Sequence, residues 1–357
     1  MPIILHKPAD AELEVSLFGP GTGECIVAHL GNDKWMIVDS CTAPNRKPVA
    51  LEYLASINVS LDDVVLVVVS HFHDDHIRGI GEVIDQCKNA KVCISGALTE
   101  KEMIAFAMAH SPGDIFVDLA SPSTHELAKV LAMIDIEGGK RSYTLVSEDK
   151  ILHRQGSAEV VALSPSDRAV VQAKLNFDTL IADAAIKFRK LANKPAPNLC
   201  AIALHICNGV DTILLGSDLE VSGNSHLGWE PVLLSKARPT SLAAVFKVSH
   251  HGSVTGHSDE VVRTMLKPKP ISILTTMNSS YLPRAADVER IRAYSSAVYM
   301  TTQRMERLTS RARAVDEVFK EVVKKRRVIN NSVGHVQVRM LNGVVSVTLN
   351  EHASTLS

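Results

Sequence analysis

Four side chains with metal-binding chemistry crowd into six positions of this chain. His71, His73, Asp75 and His76 end the run Val64 to Gly79, VVLVVVSHFHDDHIRG. Left unpaired, so many imidazoles and carboxylates at one point would repel one another. A divalent cation resolves this, because His and Asp are first-choice ligands for zinc or manganese. A polar loop that happens to be rich in His and Asp is the blander alternative. Downstream, two more groups of the same type close apolar runs: Gly216-Ser217-Asp218, and Ser249-His250-His251-Gly252-Ser253. With one of His250 and His251 added, the ligands suffice for two ions. Asp218 is placed to bridge them, as two-metal hydrolases require. Asp39, at the end of an earlier apolar run, either fixes an imidazole from behind or caps the next segment.

These groups need elements to hold them. Val64 to Val69 is a continuous β-branched and apolar run, the composition of a strand buried on both faces. Before it, Leu13 to Phe18 and Cys25 to Leu30 read as strands. The turn Asn32-Asp33 leads into a third, Lys34 to Val38. The glycine-rich GPGTGE (Gly19 to Glu24) lacks the Lys-Ser/Thr of a phosphate loop and precedes a strand, so it reads as a tight hairpin. Pro48 to Ile57 reads as a helix. Gly79 to Gln86 reads as another, with its amino terminus facing the metal loop, and Lys91 to Ser95 as a strand. Helices are expected at Thr99 to His110, where Thr99 and Glu102 form a capping box, and at Ser123 to Ile134. Then come a strand Glu159 to Leu163, a long helix Asp167 to Leu191 and a rigid loop Lys194 to Asn198. Strands Leu199 to Ile206 and Thr212 to Leu215 flank an Asn208-Gly209 turn, and Leu242 to Val248 is the last of this set. Strands alternating with helices, with polar residues at strand ends, imply an α/β architecture with one site at a sheet edge.

The chain has 357 residues, 46% hydrophobic and 22% charged, with net charge −1. That fits a globular protein with a sizeable core and leaves any nucleic-acid argument to local clustering. The six cysteines include no C-x-x-C pair. Most lie in apolar runs, as reduced buried thiols do. The amino-terminal stretch lacks a signal-peptide pattern, and no apolar run reaches the roughly 20 residues of a membrane span. A cytoplasmic protein without a membrane partner is expected.

His71-Phe72-His73-Asp74-Asp75-His76 matches the H-x-H-x-D-H signature, and the chain resembles metallo-β-lactamase-fold hydrolases. More narrowly, it resembles the soluble hydrolase domain of ComEC-type DNA-uptake channel proteins. That resemblance is carried by FGPGTGECIV, ALSP (Ala162 to Pro165), TILLGSDLE (Thr212 to Glu220) and FKVSHHGS (Phe246 to Ser253). Tyr281-Leu282-Pro283, VYMTT (Val298 to Thr302) and GHVQVRMLNGVVSVT (Gly334 to Thr348) continue it. It implies an αββα four-layer sandwich forming a single domain, residues 1–357. Helical insertions fall around 97–195 and, in basic form, around 303–330.

The resemblance further implies two divalent ions, zinc or manganese. His71 and His73 would hold the first, Asp75, His76 and His251 the second, with Asp218 bridging. Asp75 and His250 are the expected catalytic residues, His250 as a substrate contact or general acid, though the roles of His250 and His251 are open to exchange. Asp39, Asn198, His257 and Tyr281 would orient ligands or touch substrate. Asn198 stands where many relatives have a third histidine for the first ion, and Leu282 where many have a histidine before proline. His205 reads as an ordinary strand residue, while His226 and His257 read either as ordinary loop residues or as the source of the contact missing at Leu282. Two cations would bring a bridging water toward ionisation at neutral pH, supplying hydroxide, and would neutralise charge on a phosphoryl or carbonyl oxygen.

The segment Gln303 to Val328 mixes Arg304, Arg307, Arg311, Arg313, Lys320, Lys324, Lys325, Arg326 and Arg327 with four acidic residues and apolar residues at helical spacing. It reads either as an amphipathic helix with solvated charges or as a grip on a phosphate backbone. Arg304, Arg307, Arg311 and Lys324 to Arg327 are the candidate nucleic-acid contacts. Aromatic residues are only 4% of the chain, so base stacking is a weak expectation. The leading expectation is a metal-dependent phosphodiesterase or nuclease acting on DNA. A hydrolase of a small ester, lactone or phosphodiester metabolite, and an accessory subunit of a larger complex, are the alternatives.

Overall fold

The computed structural model describes residues 5–97, 143–183, 197–304 and 333–356. Two eight-stranded sheets are formed. The amino-terminal strands are β1 (Leu13–Gly19), β2 (Cys25–His29), β3 (Trp35–Val38), β4 (Val64–Val69), β5 (Lys91–Ser95) and β6 (Tyr143–Val146). Next come β7 (Lys150–Gln155), β8 (Ala158–Ala162), β9 (Leu204–Cys207), β10 (Thr212–Leu215) and β11 (Ala243–Lys247). The last five are β12 (Leu266–Leu274), β13 (Ala297–Met300), β14 (Gly334–Leu341), β15 (Val344–Asn350) and β16 (Ser354–Thr355). The first sheet runs β15-β14-β1-β2-β3-β4-β5-β6 and the second β16-β13-β12-β11-β10-β9-β8-β7.

Side-chain alternation assigns the layers. On β1, Leu13, Val15 and Leu17 enter the core between the sheets, where they join Ile213, Leu215, Val245 and Ile273 of the second sheet. Trp35, Ile37 and Val67 line the opposite face of the first sheet. They pack with Tyr53 and Leu54 of helix α1 (Val49–Ser56) and Ile80 and Ile84 of α2 (Ile80–Gln86). On the outer face of the second sheet, Leu214, Phe246 and Leu274 meet Trp229, Val261 and Ile291. Those three come from α4 (Trp229–Leu234), α5 (Asp259–Met265) and α6 (Ala285–Tyr294), which follow α3 (Asp167–Asp183) in the chain. The stack of helix, sheet, sheet and helix is the αββα sandwich expected.

β4 and β5 occupy their expected bounds, and parallel neighbours on both sides explain why β4 can be apolar throughout. The expected strand Leu199 to Ile206 is shorter, beginning at Leu204 after a 3-10 turn at Pro197–Cys200. The backbone of that stretch is engaged elsewhere. Ile202 N–H donates to Ser70 O, and the Ser95 and Ser164 hydroxyls donate to the carbonyls of Cys200 and Ala201. The helices expected at Thr99 to His110 and Ser123 to Ile134, and most of the 303–330 insertion, lie outside the described residues. All six cysteines are free thiols, five of them buried. Among the described residues, no helix is long and apolar enough to cross a membrane.

On the outer face of β1 and β14, polar residues are buried rather than apolar ones. Glu14, fully buried, accepts from Arg339 Nε at 2.7 Å, Ser16 Oγ at 2.9 Å and the Tyr53 hydroxyl. His335 stacks on Phe18 with ring centres 4.2 Å apart, and its ring nitrogens face Ser16 Oγ at 3.0 Å and Asn350 Nδ2 at 3.1 Å. Burial pushes the imidazole down to about 3, and the nearby Arg339 adds to this. The unfolded chain therefore takes up this proton first as pH falls. The contribution of His335 is intact above the ordinary value of 6.5 and is lost between there and about 3. His29 and His205, both lowered chiefly by burial, act in the same direction. Urea unfolding of the wild type should lose stability below pH 6.5, by at most about 1.4 kcal/mol per pH unit from His335. His335→Gln should be less stable at pH 7 by about 1–3 kcal/mol and show a shallower acid slope. Equal slopes for the two proteins would rule this out.

Candidate metal centre

β3 and β4 run parallel and end side by side, with Asp39 the first residue after β3 and Ser70 the first after β4. Asp39 is buried and adopts a left-handed backbone conformation, φ 59°. One carboxylate oxygen, Oδ1, accepts the Ser70 N–H at 2.7 Å. The other, Oδ2, accepts the Ser70 hydroxyl at 2.6 Å and lies 2.7 Å from His76 Nδ1. A carboxylate cannot donate, so His76 must carry a proton on Nδ1, which leaves Nε2 as the nitrogen available to an ion. The Ser70 hydroxyl, its proton given to Asp39, then accepts from His71 Nδ1 at 3.1 Å. This orients His71 Nε2 outward too. Of the two roles expected for Asp39, the geometry supports the imidazole-holding one.

Asp75, His76, Asp218 and His251 come together from both sheets, with one ligand atom of each within 4.8 Å of all the others. His76 Nε2 is 3.5 Å from both Asp75 Oδ2 and Asp218 Oδ2. His251 Nε2 is 3.5 Å from Asp75 Oδ2 and 3.3 Å from Asp218 Oδ2. These separations exceed normal hydrogen-bond lengths. Asp75 Oδ2, His76 Nε2 and His251 Nε2 are all buried without a hydrogen-bond partner. Ligands about 2.0–2.1 Å from a tetrahedral ion would sit roughly 3.3–3.4 Å apart. The donor set therefore fits a divalent cation in chemistry and in spacing.

The electrostatics of the cluster show its carboxylates drawing positive charge to this point, as protons on the imidazoles or as a cation in their place. Burial alone would lower His251, but the carboxylates of Asp218 and Asp75 overcome it and push the imidazole up to about 9. His76 is likewise raised, against burial, by Asp218, Asp75 and Asp39. Burial opposes ionisation of Asp75 and Asp218, yet the neighbouring imidazoles hold both below the ordinary carboxylate range. Burial raises Asp39, and His76 and Ser70 temper the rise. His71 is lowered well below the ordinary value, first by burial and then by His76 beside it. It is a neutral imidazole near pH 7, the form that binds metals.

His71 Nε2 and His73 Nδ1 face each other at 3.1 Å, and the rings of His71 and His76 are 4.3 Å apart. The two histidines expected for the first ion are thus paired beside the second ion's ligands. His250 turns away from them. Its Nδ1 lies 2.6 Å from Glu220 Oε1, and its Nε2 is 3.2 Å from Asn198 Nδ2. Positive φ angles at His250 and His251, 47° and 52°, send the two adjacent imidazoles in different directions. Gly252 completes this turn, and a Cβ there would meet Ile291 Cδ1 at 2.9 Å. His257 pairs with Asp259 Oδ1 at 3.0 Å and stacks on Tyr294. Tyr281 ends the short turn Asn278–Ser280, whose Asn278 N–H donates to Gly21 O in the glycine-rich loop. His205 Nε2 binds Ser241 O, away from the cluster, as an ordinary strand residue would. Arg304 is the last described residue before the basic segment. Arg307, Arg311, Lys324, Lys325, Arg326 and Arg327 lie outside the described residues.

The sequence reading missed four residues here: Glu24, Glu220, Lys247 and Thr275. Lys247 is fully buried in β11, with Nζ 2.6 Å from Glu24 Oε1 and 3.8 Å from Asp218 Oδ1. It donates to Ser217 O at 2.9 Å. The Thr275 hydroxyl donates to Glu24 Oε2 at 2.6 Å and faces His251 Nδ1 at 2.9 Å. A lysine inside the apolar run Ala243 to Val248, and a glutamate ending a glycine-rich loop, were the signals available.

The family model of the metallo-beta-lactamase superfamily matches residues 18–271, and the chain belongs to that superfamily. It is accordingly a hydrolase of a metal-dependent class. No curated protein matches the chain. Among solved structures, it is similar to the metallo-beta-lactamase fold protein YhfI from Bacillus subtilis. That match has 13% identity, 82% of this chain and 97% of that one covered, and a TM-score of 0.39. It is also similar to MEM-A1, a subclass B3 metallo-beta-lactamase from a soil metagenome library, at 13% identity. There 71% of this chain and 82% of that one are covered, with a TM-score of 0.36. For BJP-1, a subclass B3 metallo-beta-lactamase of Bradyrhizobium japonicum, the identity is 11%, the coverage 69% and 76%, and the TM-score 0.35. The family assignment rests on the family model, not on these likenesses.

The geometry separates the paired histidines. His251→Ala should lower the bound metal by about one equivalent, whereas His250→Ala should keep the wild-type content, measured by elemental analysis after dialysis. The reverse pattern would exchange their roles.

Proposed function

We propose that this chain is a phosphodiesterase that cleaves nucleic acid, DNA foremost, with two divalent ions, zinc or manganese. The observation that carries the reading is the convergence of Asp75, His76, Asp218 and His251 on one point, with Asp75 Oδ2, His76 Nε2 and His251 Nε2 left without hydrogen-bond partners. These four would hold one ion. His71 and His73 would hold the other, with Asp218 between the two. When bound, the ions supply the Lewis acidity that activates water and neutralises charge on the phosphoryl oxygens.

The remaining work falls to the chain's own residues. Asp39 and Ser70 keep the Nε2 atoms of His71 and His76 directed at the site. Asp75, besides its ligand role, stands at the reacting atoms. His250, held by Glu220 and Asn198, contacts the substrate or delivers a proton to the leaving oxygen. Asn198 in place of a third histidine makes the His71–His73 ion the weaker of the two and favours a harder cation such as manganese there.

Support for a nucleic-acid substrate comes from the ComEC-like stretches and from the excess of arginine and lysine between Arg304 and Arg327. In this reading the whole chain is one domain, and the insertion around 303–330 leads the substrate to the site. The free, mostly buried cysteines support a cytoplasmic location. A small ester, lactone or phosphodiester metabolite is the competing substrate class, and the 4% aromatic content, too low for a stacking platform, favours it.

Purified protein with Mn²⁺ or Zn²⁺ should cleave linear, circular or single-stranded DNA, and the His73→Ala/Asp75→Ala variant should not. Intact DNA alongside hydrolysis of bis-p-nitrophenyl phosphate would transfer the assignment to a small substrate. Inertness toward both, with metal bound, would point to a subunit of a larger complex.

A further inference from the structure

We propose that Glu24, Thr275 and Lys247 form a buried relay that fixes His251 and Asp218 in their metal-binding poses, its threonine arm being a positioning device for the ion that His251 holds. The inference rests on the metal reading above and adds residues that touch no ion themselves.

The direction of each hydrogen bond follows from which atoms can donate. Glu24 lies at the mouth of β2, almost wholly buried, and its carboxylate only accepts. Thr275 Oγ1, 2.6 Å from Glu24 Oε2, must therefore spend its one proton there. That leaves lone pairs toward His251 Nδ1 at 2.9 Å, so Nδ1 must be the protonated nitrogen. Nε2, the nitrogen left for an ion, is then the atom 3.3–3.5 Å from the Asp218 and Asp75 carboxylates. An acceptor behind a ligating imidazole selects its tautomer in this way. Asp39 does the same for His76 without an intermediary.

The second arm acts on Asp218. Lys247 neutralises the other oxygen of Glu24 at 2.6 Å, which makes a buried carboxylate tolerable there. From the same position its ammonium draws Asp218 Oδ1, at 3.8 Å, and binds Ser217 O, at 2.9 Å. Asp218 Oδ2 is thereby left facing the imidazoles. The main chain adds a third tie, since Glu24 N–H donates to Asp75 O at 2.9 Å. Through side chain, ion pair and backbone, Glu24 reaches Asp75, Asp218 and His251. The threonine arm ends on His251, a ligand of one ion, while the lysine arm ends on Asp218, which lies between the two. A Cβ on Gly19 would fall 2.5 Å from Thr301 Oγ1 and 2.9 Å from the Thr275 methyl, so a glycine at position 19 leaves room for both threonines.

The test separates the hydroxyl from the packing. Thr275→Val keeps the shape and removes the donor and acceptor. Thr275→Ser keeps the hydroxyl and removes the methyl. Metal-free full-length protein would be titrated with Zn²⁺ against a chromophoric chelator and melted without metal. In Thr275→Val the affinity for one equivalent should fall by about 10–100-fold, with the other equivalent and the metal-free melting temperature close to wild type. Thr275→Ser should recover most of the loss. In a His73→Ala background, where the Asp75–His76–Asp218–His251 ion remains, Thr275→Val should produce the same fall. Unchanged zinc binding in Thr275→Val would overturn the relay. So would failure of Thr275→Ser to recover it, or loss of both equivalents with a lowered metal-free melting temperature. A wild-type protein that takes up no zinc, manganese or other divalent ion would instead refute the metal reading beneath it.

Discussion

The centre is organised by one buried carboxylate. Asp39 lies at the end of β3, out of reach of water, and must find donors there. It takes them from the first residue after β4 and from His76. Ser70 is thereby turned toward His71, and the chain after it folds back so that Ser40 N–H donates to His76 O. Metal loop and strand end are a single hydrogen-bonded unit. An alanine at position 39 would leave two imidazoles with no preferred tautomer, although no ligand would have been removed.

The site belongs to neither sheet alone. Asp75 and His76 follow β4 of the first sheet, while Asp218 and His251 follow β10 and β11 of the second. Facing ends of the two sheets meet at four ligands and at the Glu24–Lys247 ion pair, which also crosses between them. The His71–His73 side is thinner. Both histidines come from one loop, and Asn198 is turned toward His250.

What the sequence makes legible is local. β4, β5 and β10 can be read to the residue because each is an apolar run bounded by a polar residue or turn. The H-x-H-x-D-H run and the paired histidines announce themselves by type and spacing. Other strands conceal themselves. β7, KILHRQ, is a largely exposed edge strand with little alternation, and β12, LKPKPISIL, carries two prolines that argue against a strand. The ends of the segment 199–203 look like strand by composition, yet its backbone is claimed by neighbouring loops. Glu24, Lys247 and Thr275 were hidden for a different reason. They meet across more than two hundred residues of chain, and only the packing of two sheets puts a lysine against that glutamate.

The buried pairing of Glu14 with Arg339 joins residues 325 positions apart. Strand β1 leaves a ribosome long before its partner β14. Until β14 arrives, β1 has an open edge, and Glu14 has no cation to offset its burial. Every ligand of the metal centre has been synthesised by then, the last of them His251. The order of synthesis thus sets the order of completion, with the chemistry's residues made first and the sheet that braces them closed last. Contacts this distant in sequence are also the ones that slow folding most. Between the synthesis of β1 and that of β14, a nascent chain must keep an unfinished sheet edge from pairing with a neighbour.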